Sequence, residues 1–140
     1  MKQGVGYSVT INIMAIFIVV TFAFLVTSLN YYKAYKINNA ISDSIEKYEG
    51  YNNFSITEID TKLSSLGYIK NNAGCKGSDL VKTEGSSFKN SYCVYETYDA
   101  TNRYTRYEVV TYINFNIPVI NKTLNLPVKT KTETIYYLGD

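Results

Sequence analysis

Cys75 and Cys93 are the two residues of this 140-residue chain best suited to covalent chemistry. Histidine is absent. That removes Ser-His and Cys-His nucleophilic catalysis and imidazole metal ligation. Two cysteines fall short of the four Cys/His ligands of a structural zinc site. The acids are scattered, and no close pair in an apolar setting is arranged for acid–base work. Asp43, Glu46 and Glu49 follow one another around a helix as a solvated face does, and Asp79 to Glu84 lacks the spacing of a calcium loop. Lys76-Gly77-Ser78 lacks the flanking pattern of a phosphate loop. Lys+Arg is 14 against 12 Asp+Glu, a net charge of +2, too small for a strongly basic nucleic-acid binder. No enzyme activity, cofactor, metal, small-molecule substrate or nucleic-acid partner is therefore expected. Pairing is the chemistry left to the cysteines. A disulfide closing a loop of roughly 18 residues contributes roughly 3 kcal/mol in the chain-entropy model and belongs in an oxidising compartment. The other reading is two unpaired, buried thiols on the cytoplasmic side, and only geometry separates the two.

The segment that must place this pair is the opening one. Residues 11–29 read INIMAIFIVVTFAFLVTSL, without a charge. As a helix this run spans roughly 28 Å, close to the hydrocarbon thickness of a bilayer. Ile11, Ile13, Ile16, Phe17, Val20, Phe24 and Leu25 are its candidate anchor residues. Tyr7 on one side and Tyr31, Tyr32 and Tyr35 on the other suit interfacial belts, with Lys33 and Lys36 as anchors. A cleaved secretory signal has a shorter apolar region, about 7–15 residues, ending at a small-x-small site. Thr21-Phe22-Ala23 is a poor site of that kind and lies inside the run. A buried core helix is the third reading, and an uncharged run apolar on all faces fits it badly in so small a chain. Lysines flank the span almost evenly, so the cysteine pair decides the orientation: a single-pass cell-membrane protein with its C-terminal domain extracytoplasmic. The expected division is a leader and transmembrane anchor over 1–29 and a domain over 30–140.

Beyond the span the helix is expected to continue to Glu49. Ile37, Ile41, Ile45 and Tyr48 recur at spacings of four and three and form one apolar stripe to dock on the chain's own sheet; Gly50 follows as a stop. Ser55-Ile56-Thr57-Glu58 reads as a capping box opening a short amphipathic helix, with Ser55 as cap, Ile59, Leu63 and Leu66 on one face and Gly67 at its end. Residues 71–90 are rich in Gly, Ser, Asn and Lys and read as a loop holding Cys75. Tyr92 to Tyr98 is a strand carrying Cys93. From Arg106 to Val119 the odd positions Tyr107, Val109, Ile113, Phe115, Ile117 and Val119 are apolar, with period two. From Leu124 to Tyr136 the even positions are expected to face one way. Ile120-Asn121-Lys122 is the turn between them, and Pro118 and Pro127 place the arms at an edge or bulge. The fold class is α+β: a long N-terminal transmembrane-amphipathic helix packed on a small antiparallel sheet, with a short second helix and a C-terminal β-hairpin. Fifteen tyrosines offer rigid amphipathic contact area, or follow from composition alone.

The order of these elements, together with the terminal stretch YINFNIPVINKTLNLPVKTKTETIYYL, resembles TadE-like pilus-assembly proteins, which are minor pilins or pseudopilins. The resemblance implies a membrane-anchored structural subunit on the cell surface, packing through its N-terminal helix with itself or other pilin-like subunits, with the lipid bilayer as its other partner. It also implies leader processing after a glycine, with Gly4 or Gly6 in the comparable place. Five residues beyond them stand Val9 and Ile11, where the family carries a glutamate. The alternative is a monomeric, signal-anchored binding or adhesion module that recruits an unlike partner through its Tyr-rich sheet.

Overall fold

The computed structural model describes residues 2–81, 83–117 and 122–136; for residues 2, 113–117 and 122–125 it describes the backbone alone. The turn expected at Ile120-Asn121-Lys122 and the strand end at Pro118 and Val119 fall wholly or mostly outside the described residues. The chain divides into two compact units, Met1–Tyr32 and Lys33–Asp140.

The first unit is helical. Helix α1 runs over Lys2–Lys47 and supplies every described residue of it. Its hydroxyls turn inward on their own backbone: Thr10, Thr21, Thr27 and Ser28 each donate to the carbonyl four residues earlier, at 2.8, 2.8, 2.8 and 2.9 Å. A hydroxyl bonded in this way presents little polar surface, so Thr21, Thr27 and Ser28 do not break the apolar run.

The second unit, hereafter the head, begins with the end of α1 and adds helix α2 (Asn53–Ser65) and strands β1 (Leu80–Val81), β2 (Cys93–Asp99), β3 (Tyr104–Ile117), β4 (Lys122–Lys131) and β5 (Ile135–Tyr136). The fold is α+β. All strand pairs are antiparallel, in the order β1-β2-β3-β4, with β5 pairing β3 at Tyr104 and Thr105. Because β2 holds one side of β3 at those residues, β5 shares the other side with β4. The core lies between the helices and one sheet face. Ile37, Ile41 and Ile45 of α1 meet Ile59 and Leu63 of α2, Tyr92, Val94, Tyr107, Val109 and Ile135 of the sheet side, and Phe88. The period-two reading of β3 is seen in Tyr107, Val109 and Thr111, all buried.

Helix α1 ends one step earlier than Gly50. Glu49 takes the left-handed conformation at φ 53°, and the Gly50 N–H returns to the Ile45 carbonyl at 2.9 Å. This is a Schellman ending with a glutamate in the position glycine usually fills. Helix α2 ends the same way on Gly67 at φ 63°, with Tyr68 N–H on the Leu63 carbonyl at 2.9 Å.

Three expectations are corrected. The cap of α2 is Asn52, not Ser55: its side chain accepts from the N–H groups of Phe54 and Ser55, and Ser55 Oγ accepts from the Asn52 N–H at 2.8 Å. A capping box is present three residues upstream of the expected one, because an amide oxygen serves as well as a hydroxyl. Asn52→Ala is expected to lower the unfolding free energy by about 1 kcal/mol, measured by denaturant unfolding; an unchanged midpoint would contradict the cap. The 71–90 segment is not all loop, since Leu80 and Val81 pair with Tyr95 and Val94 as β1. Finally, the last strand does not hold its alternation to Tyr136. Regular pairing with β3 stops at Lys131; Thr132 bridges to Tyr107, donating its N–H at 2.8 Å and accepting the Tyr107 N–H on Oγ1 at 3.0 Å. The phase shifts across this break, leaving Ile135 buried and Tyr136 exposed.

Candidate membrane anchor and the head it carries

Helix α1 contains a stretch long and apolar enough to cross a membrane, with mean hydropathy 2.6 and none of that window buried. Length and composition alone establish this, and a signal sequence meets the same test. Ile11, Ile13, Ile16, Phe17, Val20, Phe24 and Leu25 are all exposed, as are their apolar neighbours from Val5 to Leu29. Gly4 and Gly6 lie in the same helix, and a Cβ at either would meet nothing within 4 Å.

In the head, the stripe read from the sequence is the docking side of α1. Ile37, Ile41 and Ile45 are buried and belong to the core, whereas Tyr48 is half-buried and stacks on Phe54 at 6.2 Å. Asn38 is fully buried on the same side. It donates from Nδ2 to the Val128 carbonyl at 2.7 Å, fastening α1 to the edge strand β4. Further along, Glu133 donates its backbone N–H to Glu46 Oε1 at 2.8 Å. Asn38 was not legible as a fastener: in sequence it reads as one more polar residue between isoleucines, and its partner is 90 residues away.

Cys75 and Cys93 form a disulfide, with Cα atoms 5.6 Å apart. It ties the 71–79 segment to the sheet face turned away from the helices. Tyr95 on that face donates its hydroxyl to the Lys76 carbonyl at 3.0 Å, and its ring lies 3.2 Å from where a Cβ on Gly77 would stand. Cys93 is paired with Val110 of β3, and both are buried, as are their neighbours Val94 and Val109. Here both sheet faces are covered, one by helices and one by the bridged loop. Beside the bridge is a cavity of about 220 Å³ lined by Leu80, Val81, Thr83, Lys89 and Tyr92 together with Cys75. No group of three or more His, Cys, Asp or Glu stands in metal-holding geometry among the described residues.

One ion pair, Lys47–Glu58, joins the two helices, and Lys62 holds the same carboxylate from within α2. Glu58 takes Lys47 at 2.7 Å and Lys62 at 2.8 Å. Hydrogen bonds from Lys47 and then Lys62 pull its carboxyl pKa down to about 2. Tyr51 and Tyr92 share a hydroxyl–hydroxyl bond of 2.9 Å. Burial pushes the pKa of both upward, and pushes Tyr68 up to about 12. A tyrosine that resists ionisation in the folded head ionises freely once unfolded, near 10. Head stability is therefore expected to be untouched by these groups below about pH 10 and to fall as the pH rises beyond it. The check is alkaline titration of tyrosinate absorbance alongside circular dichroism: these three should titrate late, together with unfolding. A single titration step near the ordinary value, with the fold retained, would contradict the burial argument.

A long apolar N-terminal helix, whose continuation packs on an antiparallel sheet beside a disulfide-tied loop, is now in view. The architecture is type IV pilin-like. No protein-family model, curated protein or solved structure matches the chain. The apolar helix suggests a membrane anchor or signal, and the disulfide hints at an extracytoplasmic head.

Proposed function

We propose that this protein is a membrane-anchored, extracytoplasmic structural subunit of the TadE-like minor-pilin kind. It assembles through its N-terminal helix into a pilus or a secretion-type surface machine, with a structural rather than catalytic role. One observation carries this reading: the apolar part of α1 is exposed along its length. So much apolar surface has to be covered by lipid, by like helices or by both. The retained span, the leader processing at Gly4 or Gly6 and the outward head belong to this reading. The disulfide supports the outward side, because such bonds persist in oxidising compartments.

The test is crosslinking of the full chain in membranes, comparing the unaltered protein with Ala15→Leu and Ala23→Leu. Small residues let helices approach closely in lipid, and added bulk is expected to cut the yield of self-crosslinked ladders several-fold. Unchanged yield in both variants would exclude helix packing as the assembly mode. A single unlike partner in place of a ladder would favour the binding-module reading. That reading draws on exposed Tyr136, which meets half-buried Tyr104 edge to face at 6.0 Å, with Arg106 over the Tyr104 ring.

A further inference from the structure

Among the described residues of the head, the exposed large hydrophobic side chains are Tyr35, Phe54, Ile69, Tyr98, Leu126 and Tyr136. Two of these are aliphatic, Ile69 at 78% and Leu126 at 49%, and both stand at the same end. Contacts within the head fix which end. Asn38 meets Val128 and Glu46 meets Glu133, so β4 and α1 run in the same sense, and the hairpin points back toward Lys33, where the head begins. Helix α2 runs the opposite way. Its start meets the end of α1 through Lys47–Glu58, and its finish meets the beginning through Lys33 Nζ, which donates to the Gly67 carbonyl at 3.4 Å. Ile69 follows two residues after Gly67.

From Val128 back to Lys122 the strand covers about 20 Å at roughly 3.3 Å per residue. From Asn38 back to Lys33 the helix covers only about 7.5 Å at roughly 1.5 Å per residue. The hairpin therefore outruns the first residue of the head. Its register sets Ile113 opposite Leu126 and Phe115 opposite Leu124. From Val109 through Val128 the sequence holds no acid and one lysine, Lys122; Lys129 and Lys131, farther from the hairpin end, both pair with Glu108, at 3.7 and 3.8 Å. Lys33 follows the apolar span by four positions in sequence, with Lys36 close behind.

We infer that this end of the head is a second, peripheral membrane contact: the distal β3–β4 hairpin at Leu126, with Ile69 beside Gly67, rests on the phospholipid surface that the N-terminal helix enters. Aliphatic side chains enter the headgroup boundary, and an acid-free hairpin end carrying Lys122, with Lys33 and Lys36 at the start of the head, suits anionic headgroups. The inference rests on the membrane-anchor reading. It goes further by making the hairpin, not the helix alone, set how the head stands on the bilayer.

The chain contains no tryptophan, so single substitutions report cleanly. The full-length protein is reconstituted in phosphatidylcholine/phosphatidylglycerol vesicles, with or without brominated acyl chains. Four variants are compared: Leu126→Trp, Ile69→Trp, Tyr98→Trp at the far end of the head, and Phe17→Trp in the span. Thiol titration confirms the Cys75–Cys93 bond in each. Interfacial side chains sit about 5–10 Å into the headgroup boundary, so Leu126→Trp and Ile69→Trp are expected to lose about half their emission to bromine while Tyr98→Trp loses none. Bromine-insensitive emission at both 126 and 69, with Phe17→Trp quenched, overturns the contact and leaves the anchor standing. Blue-shifted but unquenched emission there also overturns it, in favour of a second copy covering the patch. An unquenched Phe17→Trp contradicts the anchor itself.

Discussion

A chain carrying Phe17→Arg and Val20→Arg is expected to leave the membrane fraction. Each arginine at the centre of a membrane-spanning helix costs about 3 kcal/mol on insertion scales, and each also removes a favourable apolar residue. Two together shift the insertion equilibrium by roughly 6–7 kcal/mol, between four and five decades. Both positions are exposed on a helix that buries none of its apolar window, so no packing within the chain compensates. Carbonate extraction measures the effect: the unaltered protein should stay in the pellet, and the double variant should appear in the supernatant or be degraded. Retention of the double variant in the pellet would mean that the apolar helix does not hold the protein in lipid.

The second large effect concerns the bridge. Replacing Cys75 and Cys93 together by alanine is expected to destabilise the head by roughly 3 kcal/mol, since the bond spans 18 residues of chain and its loss frees that loop in the unfolded state. For a domain of this size each kcal/mol shifts Tm by about 4–8 °C, so a fall of roughly 12–24 °C is expected. Local damage should follow. The 71–79 segment would lose its tie to the sheet, and Val110, buried beneath it, would gain exposure. Thermal unfolding of the detergent-solubilised chain, with hydrogen exchange at β2 and β3, reports both. A shift of a degree or less, with Val110 still protected, would show that the loop holds its place without the bond.

Much of this fold is written in local patterns. The uncharged run, the isoleucine stripe, the glycine ending α2 and the alternation at Tyr107, Val109 and Thr111 each depend on neighbours within a few positions, and those rules were readable before any contact was known. What escaped the sequence depends on distant partners or on near-equivalent local choices. Asn52 and Ser55 can both cap a helix, and which one does is settled by where the chain enters it. Val110 reads as an outward position of β3 and is buried because a loop tied through Cys75 covers it. The phase change between Lys131 and Ile135 follows from Thr132 bridging to Tyr107, which no alternation rule contains. Asn38 is polar on an apolar stripe, and its role needs the Val128 carbonyl to be seen. Ile69 carries no periodic signal, and Leu126 reads as one more even position beside Val128, which is buried while Leu126 is exposed; their shared placement appears only once the helices and the hairpin are oriented.

The most direct test of the whole account is protease accessibility of the full-length chain in membranes of known sidedness. A helix spanning lipid with an oxidised head outside predicts that protease added to intact, right-side-out vesicles digests the head and leaves a membrane-embedded N-terminal fragment, while inside-out vesicles protect the head. Digestion of the head in inside-out vesicles alone, or recovery of the uncut chain in the aqueous phase with Cys75 and Cys93 open to alkylation, would contradict it.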